Sequence, residues 1–138
     1  MLFLIIDDDP DHQDIVSALM RKSFVGLVPV WDIAATRTWQ EASEWLVAKC
    51  NEKTLTGILT NIPPPRTTEV EAANKIVLTY LADNGIIAWT GKDRMTEEIH
   101  RVLDNKHRFV DLRSSLAIDV WQDRFEQALK QLQQAAVE

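Results

Sequence analysis

Residues 2–10 read LFLIIDDDP, an apolar run that meets three consecutive carboxylates and then a proline. Five successive apolar side chains are typical of a strand that is covered on both faces, as in a parallel sheet. Asp9 followed by Pro10 is typical of a helix start, with an N-cap residue and a first-turn proline. The stretch therefore predicts a buried strand that ends in an acidic cluster where a helix begins.

Outward from this stretch, strand and helix patterns alternate along the chain. Predicted strands lie at 2–6, 27–31, 57–60, 86–90 and 108–112, with the proline in 27–31 favouring an edge position. The first predicted helix follows Asp9. The second starts at Thr38, where Glu41 three residues later completes a capping-box pattern. Three further helices are predicted over 70–81, 95–103 and 120–136. Asn84-Gly85 is expected to end the third helix. The pattern predicts a three-layer α/β fold with a five-stranded parallel sheet and five helices.

Composition narrows the class of protein. The chain has 138 residues and a net charge of −6, and we expect one domain over 1–138. The acidic balance argues against nucleic acid or an anionic membrane as the main partner. Cys50 is the single cysteine, which excludes an intramolecular disulfide, and no apolar run approaches the roughly 18 residues of a membrane span. We expect a cytoplasmic protein.

Polar side chains follow several of the predicted strands. In doubly wound sheets the functional site lies beyond the carboxyl ends of the strands. Asp7 to Asp9, Asn61 and Thr90 follow the first, third and fourth strands, so we expect them to meet in one crevice. The histidines, by contrast, have no spacing that suits a metal, and we expect them at the surface. They are His12, His100 and His107.

In order and spacing, these pieces resemble the receiver domain of two-component response regulators over nearly all of the chain. Asp7 and Asp8 match the acidic pair after the family's first strand. Pro65 lies four residues after Asn61, at the family's proline position, and Thr90 matches the switch hydroxyl of the fourth strand. The resemblance implies the flavodoxin-like, CheY-like receiver fold and a role in two-component signal transduction.

The sequence departs from this family at two positions. The family has a phosphoacceptor aspartate where this chain has Asn61, and a neutral amide cannot form the acyl phosphate. The family also has a lysine followed by a proline on the fifth strand. Counting from Phe109 places Leu112 at the lysine, and a shift of one residue places Arg113 there; no proline follows in either alignment.

The missing carboxylate also weakens the metal site that the resemblance implies. Asp8 and the carbonyl of Pro63 remain as candidate ligands, but Mg²⁺ prefers several anionic oxygens. We expect Mg²⁺ binding to be weak or absent and no other cofactor to be present. The resemblance then implies a degenerate phosphorylation pocket, formed by Asp7, Asp8, Asn61, Thr90 and Arg113.

Together these features resemble the pseudo-receivers, which keep the fold and lose the phosphorylation chemistry. We expect a stand-alone, non-enzymatic response regulator that binds a signalling protein or a kinase without phosphorylation. The resemblance places the output surface on the predicted fourth helix, the fifth strand and the last helix. The same surface is a candidate interface for a homodimer. The candidate partner residues are Lys92, Arg94, Arg101, Phe109 and Trp121.

Two alternatives stay open at this point. Asp7 and Asp9 also resemble the aspartate pair of haloacid-dehalogenase phosphohydrolases, as nucleophile and general acid. Pro10 is unusual for that family, however, and Asp111 stands alone where an acidic pair is expected. The second alternative is a small-ligand sensor whose modified pocket holds an anion or a quinone-like molecule.

Overall fold

A computed structural model describes residues 2–23, 32–50, 55–62, 68–92 and 108–137, and they form a parallel α/β fold. The strands are β1 (Leu2–Ile6), β2 (Asp32–Thr36), β3 (Leu55–Thr60), β4 (Leu81–Trp89) and β5 (Arg108–Asp111). The helices are α1 (Pro10–Ser23), α2 (Trp39–Lys49), α3 (Thr68–Tyr80) and α4 (Ile118–Val137). The five strands pair in the order β2-β1-β3-β4-β5, all parallel, which confirms the predicted fold class.

The second strand is not where the sequence pattern placed it. The predicted strand 27–31 lies outside the described residues. The sheet's second strand is instead Asp32–Thr36, which pairs with β1 from Leu2↔Asp32 to Ile6↔Thr36 and forms one edge of the sheet. Its sequence, DIAAT, has two β-branched residues but also two alanines and a charged residue, so its strand pattern is weak. The predicted helix over 95–103 also lies outside the described residues.

Each face of the sheet has its own apolar core, because successive side chains of a strand point to opposite faces. Phe3 and Ile5 of β1 lie in the core against α1 and α4, whereas Leu4 and Ile6 lie in the core against α2 and α3. All four are fully buried. This two-sided burial explains why β1 reads as a continuous apolar run.

Side-chain caps fix where the first two helices begin. The Asp9 carboxylate accepts a hydrogen bond of 3.0 Å from the backbone N–H of Asp11. Thr38 Oγ1 accepts one of 3.0 Å from the backbone N–H of Glu41, as the predicted cap requires. Both caps stand just beyond the ends of β1 and β2. The carboxyl edge of the sheet is therefore bordered by helix starts.

The junction of α3 and β4 differs from the prediction. The helix ends at Tyr80 and the strand begins at Leu81, which pairs with Leu55; regular pairing resumes only at Gly57↔Ile86. Asn84 lies inside this irregularity with a φ of 65°. The expected left-handed conformation is therefore present at Asn84. It lies in the irregular start of β4, however, and does not end the helix.

The described ranges contain no helix with the length and apolarity that crossing a membrane requires. The longest, α4, is amphipathic: Trp121, Phe125 and Leu129 face the core, whereas Lys130 is exposed.

Phe125 anchors α4 to the sheet. Its ring is fully buried and meets Phe3 of β1 edge to face, with the ring centroids 5.9 Å apart. We expect Phe125→Ala to lower the free energy of unfolding by about 3–5 kcal/mol, because it removes a large buried side chain and leaves a cavity. Urea denaturation measures this change. Val47→Ala, at a position 63% exposed on α2, is the control and should stay within about 0.5 kcal/mol. Equal losses in both variants would contradict the packing argument.

Candidate functional site

Asp7 is the centre of the acidic cluster, and its side chain is fully buried at the end of β1. Its Oδ1 accepts hydrogen bonds from the backbone N–H of Asp9 at 2.9 Å and from Asn61 Nδ2 at 3.0 Å. Its Oδ2 contacts Nδ1 of His12. Both carboxylate oxygens are thus occupied by protein groups, which offsets the cost of burying the charge. An oxygen so engaged is a poor nucleophile, so this geometry does not favour the phosphohydrolase alternative.

Asn61 follows β3 and faces Asp7. A carboxylate only accepts hydrogen bonds, so the amide nitrogen of Asn61 must point towards Asp7. The amide oxygen then points away. That Oδ1 atom is buried and has no hydrogen-bond partner among the described residues. Asn61 therefore donates to the acidic cluster without adding a charge to it, and it leaves one unused acceptor.

His12 is a site residue that the sequence analysis missed. It was expected at the surface, but its ring is half-buried against Asp7. Its neighbour Gln13 donates from Nε2 to the carbonyl oxygens of Asp7 at 2.6 Å and Thr36 at 3.1 Å. The signal was present in the start of α1 at Pro10, because a helix that begins there places its first turn over the end of β1. His100 and His107 lie outside the described residues.

Thr90 lies beside Asn61 at the end of the neighbouring strand. Its backbone N–H donates to the carbonyl of Thr60 at 2.9 Å, and its side chain is only 1% exposed. The hydroxyl Oγ1 is buried without a hydrogen-bond partner among the described residues. Asn61 and Thr90 thus line a common cavity with Asp9, Asn61 also donates to the buried Asp7, and both Asn61 and Thr90 carry an unsatisfied polar atom.

No basic side chain at the end of β5 lies beside Thr90. The register Trp89↔Asp111 continues with a hydrogen bond of 2.9 Å from Leu112 N–H to the carbonyl of Trp89, so Leu112 is the residue beside Thr90. Leu112 is fully buried in the core. Arg113 instead turns to Asp111, with its Nε 3.1 Å from the carboxylate. This corrects the assignment of Arg113 to the pocket.

A polar cavity of about 130 Å³ opens between these strand ends. Its lining consists of Asp9, His12, Asn61, Thr90, Gly91, Lys92 and Ser114. Gly91 is required here, because a Cβ atom at this position would overlap the ring of Trp89. Asp8 is exposed and does not line the cavity.

The described residues do not fit the Mg²⁺ ion that the fold implies. A hard cation would need the carboxylate oxygens of Asp7 as ligands. The amide nitrogen of Asn61 and the ring of His12 already contact these two oxygens. The described part of the chain holds no group of three or more metal-ligating side chains. Asp8 remains as an exposed carboxylate, and Pro63 lies outside the described residues.

The predicted partner residues are only partly described. Lys92 is exposed and Phe109 is half-buried. Trp121 is 3% exposed and donates from its indole nitrogen to the carbonyl of Leu112 at 2.9 Å, so it belongs to the core and the prediction of a surface role for it is wrong. Arg94 and Arg101 lie outside the described residues.

Comparison with solved structures places this geometry in a known fold. The chain is similar to a flavodoxin-like domain from Synechococcus sp., with 13% identity, 97% of this chain and 99% of that chain covered, and a TM-score of 0.61. It is similar to a two-component response regulator from Legionella pneumophila, with 15% identity, coverage of 94% and 97%, and a TM-score of 0.59. It is also similar to a response regulator receiver domain from Rhodospirillum rubrum, with 16% identity, coverage of 92% and 89%, and a TM-score of 0.60.

No family model matches the sequence, and no curated protein matches it significantly. At these low identities the structural likeness establishes the fold. The chain has the flavodoxin-like fold of response-regulator receiver domains.

Removing the His12 ring should leave Asp7 Oδ2 buried without its partner. We expect His12→Ala to lower the free energy of unfolding by about 1–3 kcal/mol, the cost of an unsatisfied buried acceptor. His12→Gln retains a donor and should recover part of this loss. Urea denaturation of the three proteins is the measurement, and equal stability of His12→Ala and wild type would show that the contact contributes nothing.

A carboxylate at position 61 should destabilise the site. Asn61→Asp loses the donor to Asp7 and brings a like charge into its place, so we expect the free energy of unfolding to fall by at least about 1 kcal/mol. Millimolar Mg²⁺ should restore part of the melting temperature of the variant and leave that of the wild type unchanged. A thermal shift measured with and without Mg²⁺ checks both statements. A rise in the wild-type melting temperature would show that the pocket holds the ion after all.

Proposed function

We propose that this chain is a regulatory receiver-like domain that acts through protein binding without being phosphorylated. In this role the fold works as a pseudo-receiver, and it is neither an enzyme nor a phosphoryl acceptor. The observation that carries the proposal is the hydrogen bond of 3.0 Å from Asn61 Nδ2 to Asp7, because the sequence resemblance matches Asn61 to the phosphoacceptor aspartate of receivers.

The surroundings of Asn61 support the same conclusion. A phosphoryl group in such a pocket needs a nucleophile, a divalent cation and a basic side chain for its charge. Here an amide replaces the nucleophile, His12 occupies Asp7, and the apolar Leu112 lies beside Thr90. The Asp7 carboxylate is therefore held by hydrogen bonds within the protein, without a phosphoryl group or a cation.

The partner surface of this proposal lies beyond β4 and on β5. Lys92 is exposed there, next to the polar cavity, and Phe109 is half-buried on β5. Arg94 and Arg101 follow Lys92 in the sequence, in a segment that also carries Asp93, Glu97 and Glu98 and therefore has no net charge. The exposed Lys92, on a chain with a net charge of −6, favours a partner with an acidic contact face, or a second copy of this chain.

A fluorescence titration with Mg²⁺ and beryllofluoride tests the proposal. Beryllofluoride mimics a phosphoryl group only where a carboxylate and a divalent cation hold it. Trp89 is the reporter, because its ring packs on Gly91 at the edge of the polar cavity. We expect no saturable change for the wild type and a saturable change for Asn61→Asp.

Asn84→Asp is the matched control. It makes the same amide-to-carboxylate change at an exposed position away from the cavity, and it should behave like the wild type. A saturable response of the wild type to Mg²⁺ with beryllofluoride would overturn the proposal, since the pocket would then bind a phosphoryl analogue without a carboxylate at position 61.

A further inference from the structure

A second cavity adjoins the polar one and extends it between α1 and α4. It has a volume of about 230 Å³, and His12, Thr90 and Ser114 line both cavities. The rest of its lining is apolar and consists of Ile15, Val16, Leu19, Leu116, Ile118 and Trp121. The two cavities together form one elongated site with a polar end at the strand termini and an apolar end between the helices.

The apolar end has room for a ring system. A dry cavity of roughly 150 Å³ holds a benzene molecule, so a space of about 230 Å³ accepts one or two fused rings. Ile15 is 57% exposed and Ile118 is 63% exposed, although both are apolar and both line this cavity. A ligand seated here would cover apolar surface that now faces solvent.

The polar end lacks hydrogen-bond partners that a ligand can supply. Thr90 Oγ1 and Asn61 Oδ1 are buried and unpartnered among the described residues, and each such atom costs about 1–3 kcal/mol. The amide oxygen of Asn61 can only accept, so it requires a donor. The hydroxyl of Thr90 can donate to an acceptor. A head group with both a donor and an acceptor satisfies the two atoms together.

The charges of the lining favour a neutral head group. Asp9 and Lys92 are opposite charges on the polar cavity, and the nearby Asp7 carboxylate is already fully hydrogen-bonded. Asp8 adds a further negative charge at the same strand end. An anionic head would be repelled by this cluster, and a cationic ammonium head, which only donates, would leave the hydroxyl proton of Thr90 without an acceptor.

We propose that the elongated site binds a neutral amphiphilic small molecule, with a body of one or two aromatic rings and a head of the primary-amide type. The rings lie among the apolar side chains between α1 and α4. The amide head donates to Asn61 Oδ1 and accepts from Thr90 Oγ1. This site goes beyond the proposed protein-binding function and does not depend on it.

The probe is 1-naphthaleneacetamide, titrated into ¹⁵N-labelled protein without Mg²⁺ or beryllofluoride. Chemical-shift changes are followed at the indole N–H of Trp121 and at the backbone amides of Thr90 and Ser114. The charged comparison ligands are 1-naphthaleneacetate and 2-(1-naphthyl)ethylamine, which keep the rings and change the head. We expect saturable shifts with the amide and a dissociation constant roughly fivefold lower than for either charged ligand.

Two variants separate the contribution of the ligand's head group to binding from that of its ring body. Thr90→Val removes an unpartnered hydroxyl with little change in shape, so the protein should fold and bind the amide roughly fivefold more weakly. Ile118→Ser should weaken all three ligands, whereas Val47→Ser should weaken none. These two positions are equally exposed, at 63%, but only Ile118 lines the site.

Three results would overturn the inference: no saturable shift with the amide, equal affinity for the three heads, or equal effects of Ile118→Ser and Val47→Ser. None of these results bears on the response of Asn61→Asp to beryllofluoride. A failure here therefore leaves the proposed function standing, and the reverse also holds.

Discussion

Asp7 carries a carboxylate with no exposure to solvent, and four elements of the fold meet at it. Its backbone N–H donates to Thr36 at the end of β2, while its side chain accepts from Asn61 after β3 and contacts His12 on α1. A buried charge is tolerated only when every oxygen has a partner, so these elements must all be in place together. The positions of the polar cavity, the α1 start and the β3 end follow from this single requirement.

Much of this arrangement could be predicted from local sequence. The apolar run of β1, the Asp9 start of α1 and the Thr38 cap of α2 each carry a signal within a few residues, and all three are confirmed. The meeting of Asn61 and Thr90 followed from topology, because parallel strands end at the same edge of a sheet. Short-range chemistry and strand order were sufficient for these features.

The features that were missed depend on tertiary contacts. β2 is held by its pairing with β1 and not by its own weak strand pattern. His12 has no distinctive spacing in the sequence, and its role appears only when α1 lies over the end of β1. Trp121 could have been exposed or buried on an amphipathic helix, and the carbonyl of Leu112 that satisfies its indole N–H belongs to a different element. Sequence pattern identifies which side chains are polar or large, but not which partner each will find.

The interior position of β1, between β2 and β3, has a consequence for synthesis of the chain on the ribosome. β1 is made before the other described strands, yet Ile6 pairs with Thr60, which is added 54 residues later. At about 5–20 residues per second, this apolar strand waits roughly 3–10 s after its synthesis for that neighbour. During this interval its five apolar residues lack the β3 neighbour and the later helices that complete the cores on both faces. Chaperone contact with the nascent chain would therefore concentrate on β1.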